Sequence, residues 1–329
     1  MRPTCSVYVD TGYLLASAAT RRTGTSLRSG IFVDYATLIA ALVDAAETRS
    51  GLPILRVYWY DSARNGVPDA QQERIGELSK VKLRLGRFGV NGEQKGVDLR
   101  IGLDLVAHAR SNASDVFFLV SGDDDLTEAV EEAQAHGVQV LLLTVPTNDG
   151  KPHGVSRHLI RASDGLDFFD GAAVDAAVMK IDRQPPPVVV TDPVSVPKPA
   201  HRPGPKPGPR VPTPLDVAST AQAPAPVRPA NVLVYSGTTG SGTTVQPEYV
   251  MAGEETELID EVVSRVLASL EASSTPEDKL SLQRTRPNIP PDIDRALLLD
   301  ASDAMGHHDL DEGIRYRLRA RFWEKYDEQ

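Results

Sequence analysis

Three aspartates stand side by side in LVSGDDDL, as Asp123, Asp124 and Asp125, directly after an apolar run. Two more occupy similar places: Asp10 closes the apolar run CSVYVD, and Asp98 follows GEQKG where a helical pattern begins. Neighbouring carboxylates repel, and gathering them costs free energy unless something positive lies between them. Carboxylate oxygens are preferred ligands of the hard cations Mg2+ and Mn2+. The chemistry that such acids serve is metal-assisted hydrolysis, in which water is the nucleophile. No convincing Ser-His-Asp or Cys-His arrangement competes with that reading.

The elements that must position these acids alternate along the chain. CSVYVD, ILRVYWYD, VKLRLGRF, DVFFLV and VQVLLLTV read as strands, with LDFF as a short last one. In FVDYATLIAALVDAAE, Phe32, Tyr35, Leu38, Ile39, Leu42 and Val43 recur at helical spacing. A helix is expected after Pro68, another over GVDLRIGLDLVAHAR with Val97, Ile101 and Leu105 in one row, and another over LTEAVEEAQAHG, stopped at Gly137. Continuous apolar strands separated by helices predict an α/β fold, a parallel sheet with helices on both faces. Sites in such sheets lie at the carboxyl ends of the strands. Asp10, Asp98 and the triplet are therefore expected to converge on one crevice.

YVDTGYL, KGVDLRIGLDLV, LVSGDDDLTEAVEEAQAHGVQV and SRHLIRASDGLDFF resemble, in order, the successive motifs of NYN-domain proteins, in the PIN-like branch of the 5′-nuclease superfamily. The resemblance covers roughly residues 5 to 170. It implies a Rossmann-like sheet and a metal-dependent ribonuclease, with Mg2+ or Mn2+ held by Asp10, Asp98 and Asp123 and with Asp125 as a fourth catalytic acid. Asp104 falls on a position often acidic in the family. Two departures stand out. Many members carry Asn three residues after the first Asp, where this chain has Tyr13, and the middle of the triplet is often Ser, where it has Asp124. The first removes a polar contact to metal water or substrate; the second adds charge and is expected to face solvent. A catalytically weak or inactive RNA- or protein-binding regulatory module is the alternative, and a phosphatase or DNA nuclease using the same acids is a weaker one.

Plainer roles fit the same residues. Asp125 with Glu128 has the spacing of a capping box. Asp98 complements a helix dipole. Asp104 is in reach of Arg100, four residues earlier, for a surface ion pair. Ser121 and Gly122 read as a tight turn, with a hydroxyl that could orient a metal water or a phosphate. The cations are expected to meet substrate: ATRRTGTSLRSG, read as a loop at the same sheet edge, carries Arg21, Arg22 and Arg28, and NDGKPHGVSRHLIR carries Lys151, His153, Arg157, His158 and Arg161. Ser121, Arg21, Arg22, Lys151 and Arg157 are the substrate-binding candidates. His108 and His136 read as helix-surface residues.

The 329-residue chain divides by composition into residues 1–183, the nuclease-like domain; 184–250, read as a disordered linker and holding, within 184–230, 15 of the 25 prolines; and 251–329, a small α-helical accessory region. The first part carries a net charge of −4 and the last −8, within −10 overall, which argues against a nucleic-acid coat but not against an enzyme with a basic rim. The single cysteine, Cys5, excludes an internal disulfide and suits a reducing cytoplasm. No apolar run approaches a membrane span. The final helix interleaves Arg315, Arg317, Arg319 and Arg321 with Tyr316, Phe322, Trp323 and Tyr326, read as a helical bundle or docking module, for a protein partner or self-association, in preference to RNA contact.

Overall fold

The computed structural model describes residues 3–88, 94–183, 252–306 and 310–328. Its elements are β1 (Cys5–Asp10), α1 (Thr11–Thr23), β2 (Ile31–Val33), α2 (Tyr35–Ser50), β3 (Ile54–Ala63), α3 (Ala70–Gly76), β4 (Val81–Phe88), β5 (Gln94–Lys95), α4 (Val97–Arg110), β6 (Val116–Val120), α5 (Thr127–Ala135), β7 (Gln139–Thr144), α6 (Arg157–Ala162), β8 (Gly165–Phe168), α7 (Gly171–Ala177), β9 (Val178–Lys180), α8 (Ala252–Ser273), α9 (Pro276–Arg284), α10 (Pro291–Met305) and α11 (Glu312–Asp327). The proline-rich stretch 184–250 and the His307–His308 pair lie outside the described residues.

The main sheet has the order β5-β4-β3-β1-β6-β7-β8. Every neighbouring pair is parallel except β4 with the short β5. Alternation within the strands shows why helices cover both faces. Val7, Val9, Trp59, Phe118 and Val120 enter one core, and Tyr8, Tyr58, Tyr60, Phe117 and Leu119 enter the other. Successive side chains of a strand point to opposite faces, so continuous apolar runs need two apolar layers. Helices α1, α2 and α7 line the first core, and α4, α5 and α6 the second. The chain moves from β1 outward through β3 to β4, then returns to β6 on the other side of β1. The order therefore reverses between β1 and β6, and the crevice beyond their carboxyl ends is where such sheets bind ligands.

Two expected elements differ. ATRRTGTSLRSG is not a loop from its start: α1 runs on to Thr23 and turns only at Gly24, whose φ is 80°. Asp10 caps this helix, and its Leu- and Ala-rich first half favours helix. Phe32 belongs to no helix; it sits in β2, which pairs antiparallel with β9.

Residues 1–184 and 249–329 form one compact unit. The C-terminal helices have their own core, built on Val262, Val263, Val266, Leu297, Leu318 and Phe322. Leu27 of the N-terminal part is completely buried in that core. Burial of one such leucine contributes roughly 2 kcal/mol. The amide of Ser26 donates to Asp300 Oδ1 at 2.9 Å, the Ser26 hydroxyl donates to the Ala296 carbonyl at 3.3 Å, and the Arg183 amide donates to the Ala272 carbonyl at 2.9 Å. Three arginines of α11 are paired within the C-terminal helices: the exposed Arg317 with Glu255, the exposed Arg319 with Asp294 and the half-buried Arg321 with Asp260.

Candidate active site

β1 ends on Asp10, whose Oδ1 accepts from the amides of Gly12 at 2.9 Å and Tyr13 at 3.3 Å. The carboxylate thus caps α1 and leaves Oδ2 turned toward β6. There the buried Ser121 hydroxyl donates to Asp10 Oδ2 at 3.4 Å. Ser121 Oγ also accepts from the Asp123 amide at 3.3 Å, so one hydroxyl ties the ends of β1 and β6 together. Ser121, a substrate-binding candidate, lies behind the acids as their support.

The turn after β6 is set by close approach. A Cβ on Gly122 would lie 1.9 Å from the Gly154 carbonyl oxygen and 2.8 Å from the Tyr13 ring. The Gly122 carbonyl accepts from the Ser156 amide at 3.0 Å. Tyr13, at the position where the resemblance leads one to look for Asn, is packed here, and its hydroxyl donates to the His153 carbonyl at 3.0 Å. Its ring and hydroxyl hold the 153–156 segment against the site rather than reaching into it.

Asp123 follows, half-buried, and caps the 3-10 turn Asp124–Leu126 by accepting from the Asp125 amide at 3.0 Å. This corrects the capping box expected at Asp125. The α5 N-cap position is Leu126 and has no side-chain cap, because the 3-10 turn intervenes. Asp125 is exposed. Asp124 does not simply face water: it accepts from the Ser156 hydroxyl and lies 3.4 Å from His158 Nδ1, which ties the triplet to the start of α6.

Asp98 stands in the first turn of α4. Asp104, on the same helix, is turned elsewhere. It accepts from the Tyr60 hydroxyl at 2.9 Å and pairs with Arg84 at 3.1 Å, not with Arg100. Position 104 lies about 120° away from the direction of Asp98 around an ideal helix and about one and two-thirds turns further along. His108 is also corrected: it is half-buried, stacks on Tyr58 at 4.5 Å, and its Nδ1 is 3.0 Å from the Tyr8 hydroxyl.

The electrostatics identify the acids that share one space. Asp10 is pushed up to about 6, by burial first and then by the charge of Asp98, against the amides of Tyr13 and Gly12, with Asp123 adding a smaller push. Asp98 is raised by burial and by Asp125, while Arg295 of α10 pulls it down. Asp123 is raised by burial, then by Asp98, Asp125 and Asp124, against the amide of Asp125. Burial comes first in all three, and each also feels at least one neighbouring carboxylate: Asp98 and Asp123 at Asp10, Asp125 at Asp98, and Asp98, Asp125 and Asp124 at Asp123. Among the described residues, no three His, Cys, Asp or Glu side chains are grouped closely enough to close on an ion. Carboxylate oxygens are nevertheless donors of the type Mg2+ takes, and Mg2+ keeps several waters and commonly takes one or two carboxylates directly.

The cations divide. Arg21 and Arg22 do not come to the acids. Arg21 forms a two-pronged pair with Asp175 at 3.0 and 2.7 Å and also donates to the Pro146 carbonyl, while Arg22 pairs with Asp175 at 3.2 Å. Both sit in the last turn of α1, and eleven residues of helical rise carry Arg21 about 16 Å from Asp10. His153 is buried, with Nε2 3.2 Å from the Thr20 hydroxyl, and burial pushes its pKa down. Lys151 and Arg157 are exposed, and neither side chain has a hydrogen bond or ion pair among the described residues. Arg295, which sequence reasoning missed, stands nearer the acids electrostatically than any of these. Nothing in the pattern marks it: it is one arginine on an amphipathic helix, 170 residues beyond the triplet.

Comparison with known proteins agrees with this geometry. The family model described as the NYN domain matches residues 5–170. A protein of Sinorhizobium fredii (strain NBRC 101917 / NGR234), named "Uncharacterized protein y4oD", is 43% identical over 76 residues, which is 23% of this chain and 36% of that protein. The match thus spans about a third of that relative's length.

Proposed function

The chain belongs to the NYN-domain family, and from that footing we propose that it is a metal-dependent, endonucleolytic ribonuclease. Its nuclease-like fold accords with the PIN-like superfamily. What supports the reading is that Asp98 and Asp123 both push up Asp10 and that Asp98 pushes up Asp123, three acids from separate segments, with the Ser121 hydroxyl bonded to both Asp10 and the Asp123 amide. Asp10, Asp98 and Asp123 would hold Mg2+ or Mn2+, with Asp125 at the rim. The cation, when bound, lowers the pKa of an attacking water and neutralises charge on the phosphate.

The chain's own groups have separate tasks. Ser121 and the amides of Gly12 and Tyr13 fix the orientation of Asp10. The Asp125 amide does the same for Asp123. Lys151 and Arg157, exposed and unpaired among the described residues, are the cations left to meet the RNA backbone; Arg21 and Arg22 instead hold the end of α1 to α7. Water needs no protein nucleophile, only acids that are ionised and held.

A second reading, a regulatory module that binds RNA without turnover, is favoured by Tyr13, whose hydroxyl is given to the His153 carbonyl where many relatives offer an Asn. Cleavage assays on RNA, DNA and a small phosphoester, with Mn2+ and with chelator, separate the readings. Manganese-dependent cutting of RNA, lost in Asp10→Asn, is expected. Binding of RNA with no cutting at any metal concentration would select the regulatory module.

A further inference from the structure

Helix α10 is pinned to the N-terminal part at three levels. Arg28 pairs with Asp292 at 3.0 Å, Ser26 bonds the Ala296 carbonyl at 3.3 Å and Asp300 at 2.9 Å, and His153 Nδ1 lies 3.7 Å from Asp303. Arg295 falls inside this pinned stretch, so its place relative to the site is fixed by contacts on both sides. Its side chain is half-buried and feels the charges of Asp10 and Asp98 as well as those of Arg28 and Asp292. Yet among the described residues Arg295 makes no hydrogen bond or ion pair. Arg28 is held by Asp292, whereas Arg295, beside it, has no such partner among the described residues.

A guanidinium has five donors, and none of those of Arg295 is among the fully buried, unbonded polar atoms, so they keep access to solvent and to an incoming partner. Asp10 and Asp98 act on the charge of Arg295 without coming close enough to pair with it. A partner that fits is an anion entering between them, with oxygens for the planar fork. We propose that Arg295 contacts an RNA phosphate, so that the C-terminal helices supply in cis a substrate-positioning group to the acid site of the N-terminal part. The proposal rests on the ribonuclease reading for its substrate class. It gives the C-terminal helices a place at the site through α10 rather than through the arginines of α11, which pair among the helices themselves.

Two plainer roles make different predictions. Arg295 as a counter-charge would only soften repulsion among the acids. Arg295 as a plug would hold the crevice against substrate. The test uses the full chain, single-stranded RNA and chelator, so that RNA is bound but not cut. Arg295→Ala is expected to weaken binding about tenfold, and to make log K against log salt shallower by roughly 0.7, the value of one phosphate contact on a single strand. Arg295→Lys should recover the salt slope and only part of the affinity, because the bidentate fork is lost. Melting temperature reports folding, and Arg295→Gln carries the same comparison if the alanine variant does not fold. Parental affinity and slope in a folded Arg295→Ala overturn the proposal, whatever its melting temperature. Tighter binding by Arg295→Ala overturns it in favour of a plug. If the parental chain binds RNA, Arg295→Ala weakens that binding, and no divalent ion supports cutting, the ribonuclease reading fails while the Arg295 contact stands. A parental chain that does not bind RNA overturns both.

Discussion

The amide of Ser26 donates to the carboxylate of Asp300 at 2.9 Å, a buried bond between residues 274 positions apart. The same carboxylate has its other oxygen, Oδ2, without a hydrogen-bond partner. Burial pushes Asp300 up to about 6, against the bonds from Ser26 and the charge of Arg265, with Asp303 adding a small push.

A pH dependence follows. The folded pKa lies above the unfolded one, so the folded state holds this proton more tightly. The penalty is absent below the ordinary Asp pKa, grows as pH rises through about 6, and is complete above it, at roughly 3 kcal/mol for two units. Asp300→Asn removes the titration while keeping an acceptor for Ser26. Urea unfolding of both proteins at pH 4.5 and 7.5 should show the difference in stability moving in favour of the Asn variant by about 2 kcal/mol as pH rises. A difference that stays constant across this range refutes the assignment.

Much of the N-terminal architecture was readable because both its periods are strong. Val7 to Val9 and Phe117 to Val120 are apolar on every residue, which only a sheet buried on two faces explains. Asp10 was readable as the end of β1, and Asp123 as lying just beyond β6, because each follows such an apolar run. What escaped had a long-range cause. The arginines of ATRRTG looked free until Asp175 of α7 took them, and α1 looked like a loop because its Gly24 stop lies after, not before, the arginines. Asp125 looked like a cap because its spacing to Glu128 was right, and the intervening 3-10 turn leaves no local mark. Arg295 and Leu27 meet the other half of the fold across a span of chain that sequence periodicity cannot fold back.

Gly122 carries the tightest approach at the site. An added methyl would collide with the Gly154 carbonyl, a backbone atom that cannot rotate away, and the Ser156 amide bond ties the two segments together. Gly122→Ala is expected to cost about 1–3 kcal/mol by overpacking, and to lower turnover by displacing Ser121 and Asp123. Gly137→Ala is the control. Its φ is 85° and no atom lies within 4 Å of the added Cβ, so it should cost about 1 kcal/mol and leave turnover alone. Denaturant unfolding and RNA cleavage, read together, decide the point; equal behaviour of the two variants would remove the special role of Gly122.

The acids that repel in the metal-free protein should respond to divalent ions. Millimolar Mg2+ or Mn2+ is expected to raise the melting temperature, with about 2.7 kcal/mol of stabilisation when the free ion exceeds its Kd a hundredfold. Asp10→Asn and Asp98→Asn should abolish most of the shift, and each should melt higher than the parental chain in chelator because a repulsive charge is gone. A parental melting temperature indifferent to every divalent ion would count decisively against a metal site.

The triplet should separate into three behaviours. Asp123→Asn keeps an acceptor for the Asp125 amide and so keeps the 3-10 turn, but it removes a charge that faces Asp98. Turnover should fall by orders of magnitude with folding intact. Asp125 is exposed and caps nothing, so Asp125→Asn should leave stability unchanged, and any fall in turnover then reports contact with the cation or its water rather than loss of helix. Asp124→Ser inverts this pattern. Asp124 accepts from Ser156, which itself caps α6 by accepting from the amides of His158 and Leu159. Its loss should cost about 1 kcal/mol while sparing turnover, and Ser156→Ala should have a similar effect, non-additive with it. Thermal melts and single-turnover cleavage of the four variants give the comparison. If Asp123→Asn cuts RNA at the parental rate while Asp124→Ser does not, the catalytic acid of this stretch is one position further on, and the role given to Asp123 passes to its neighbour.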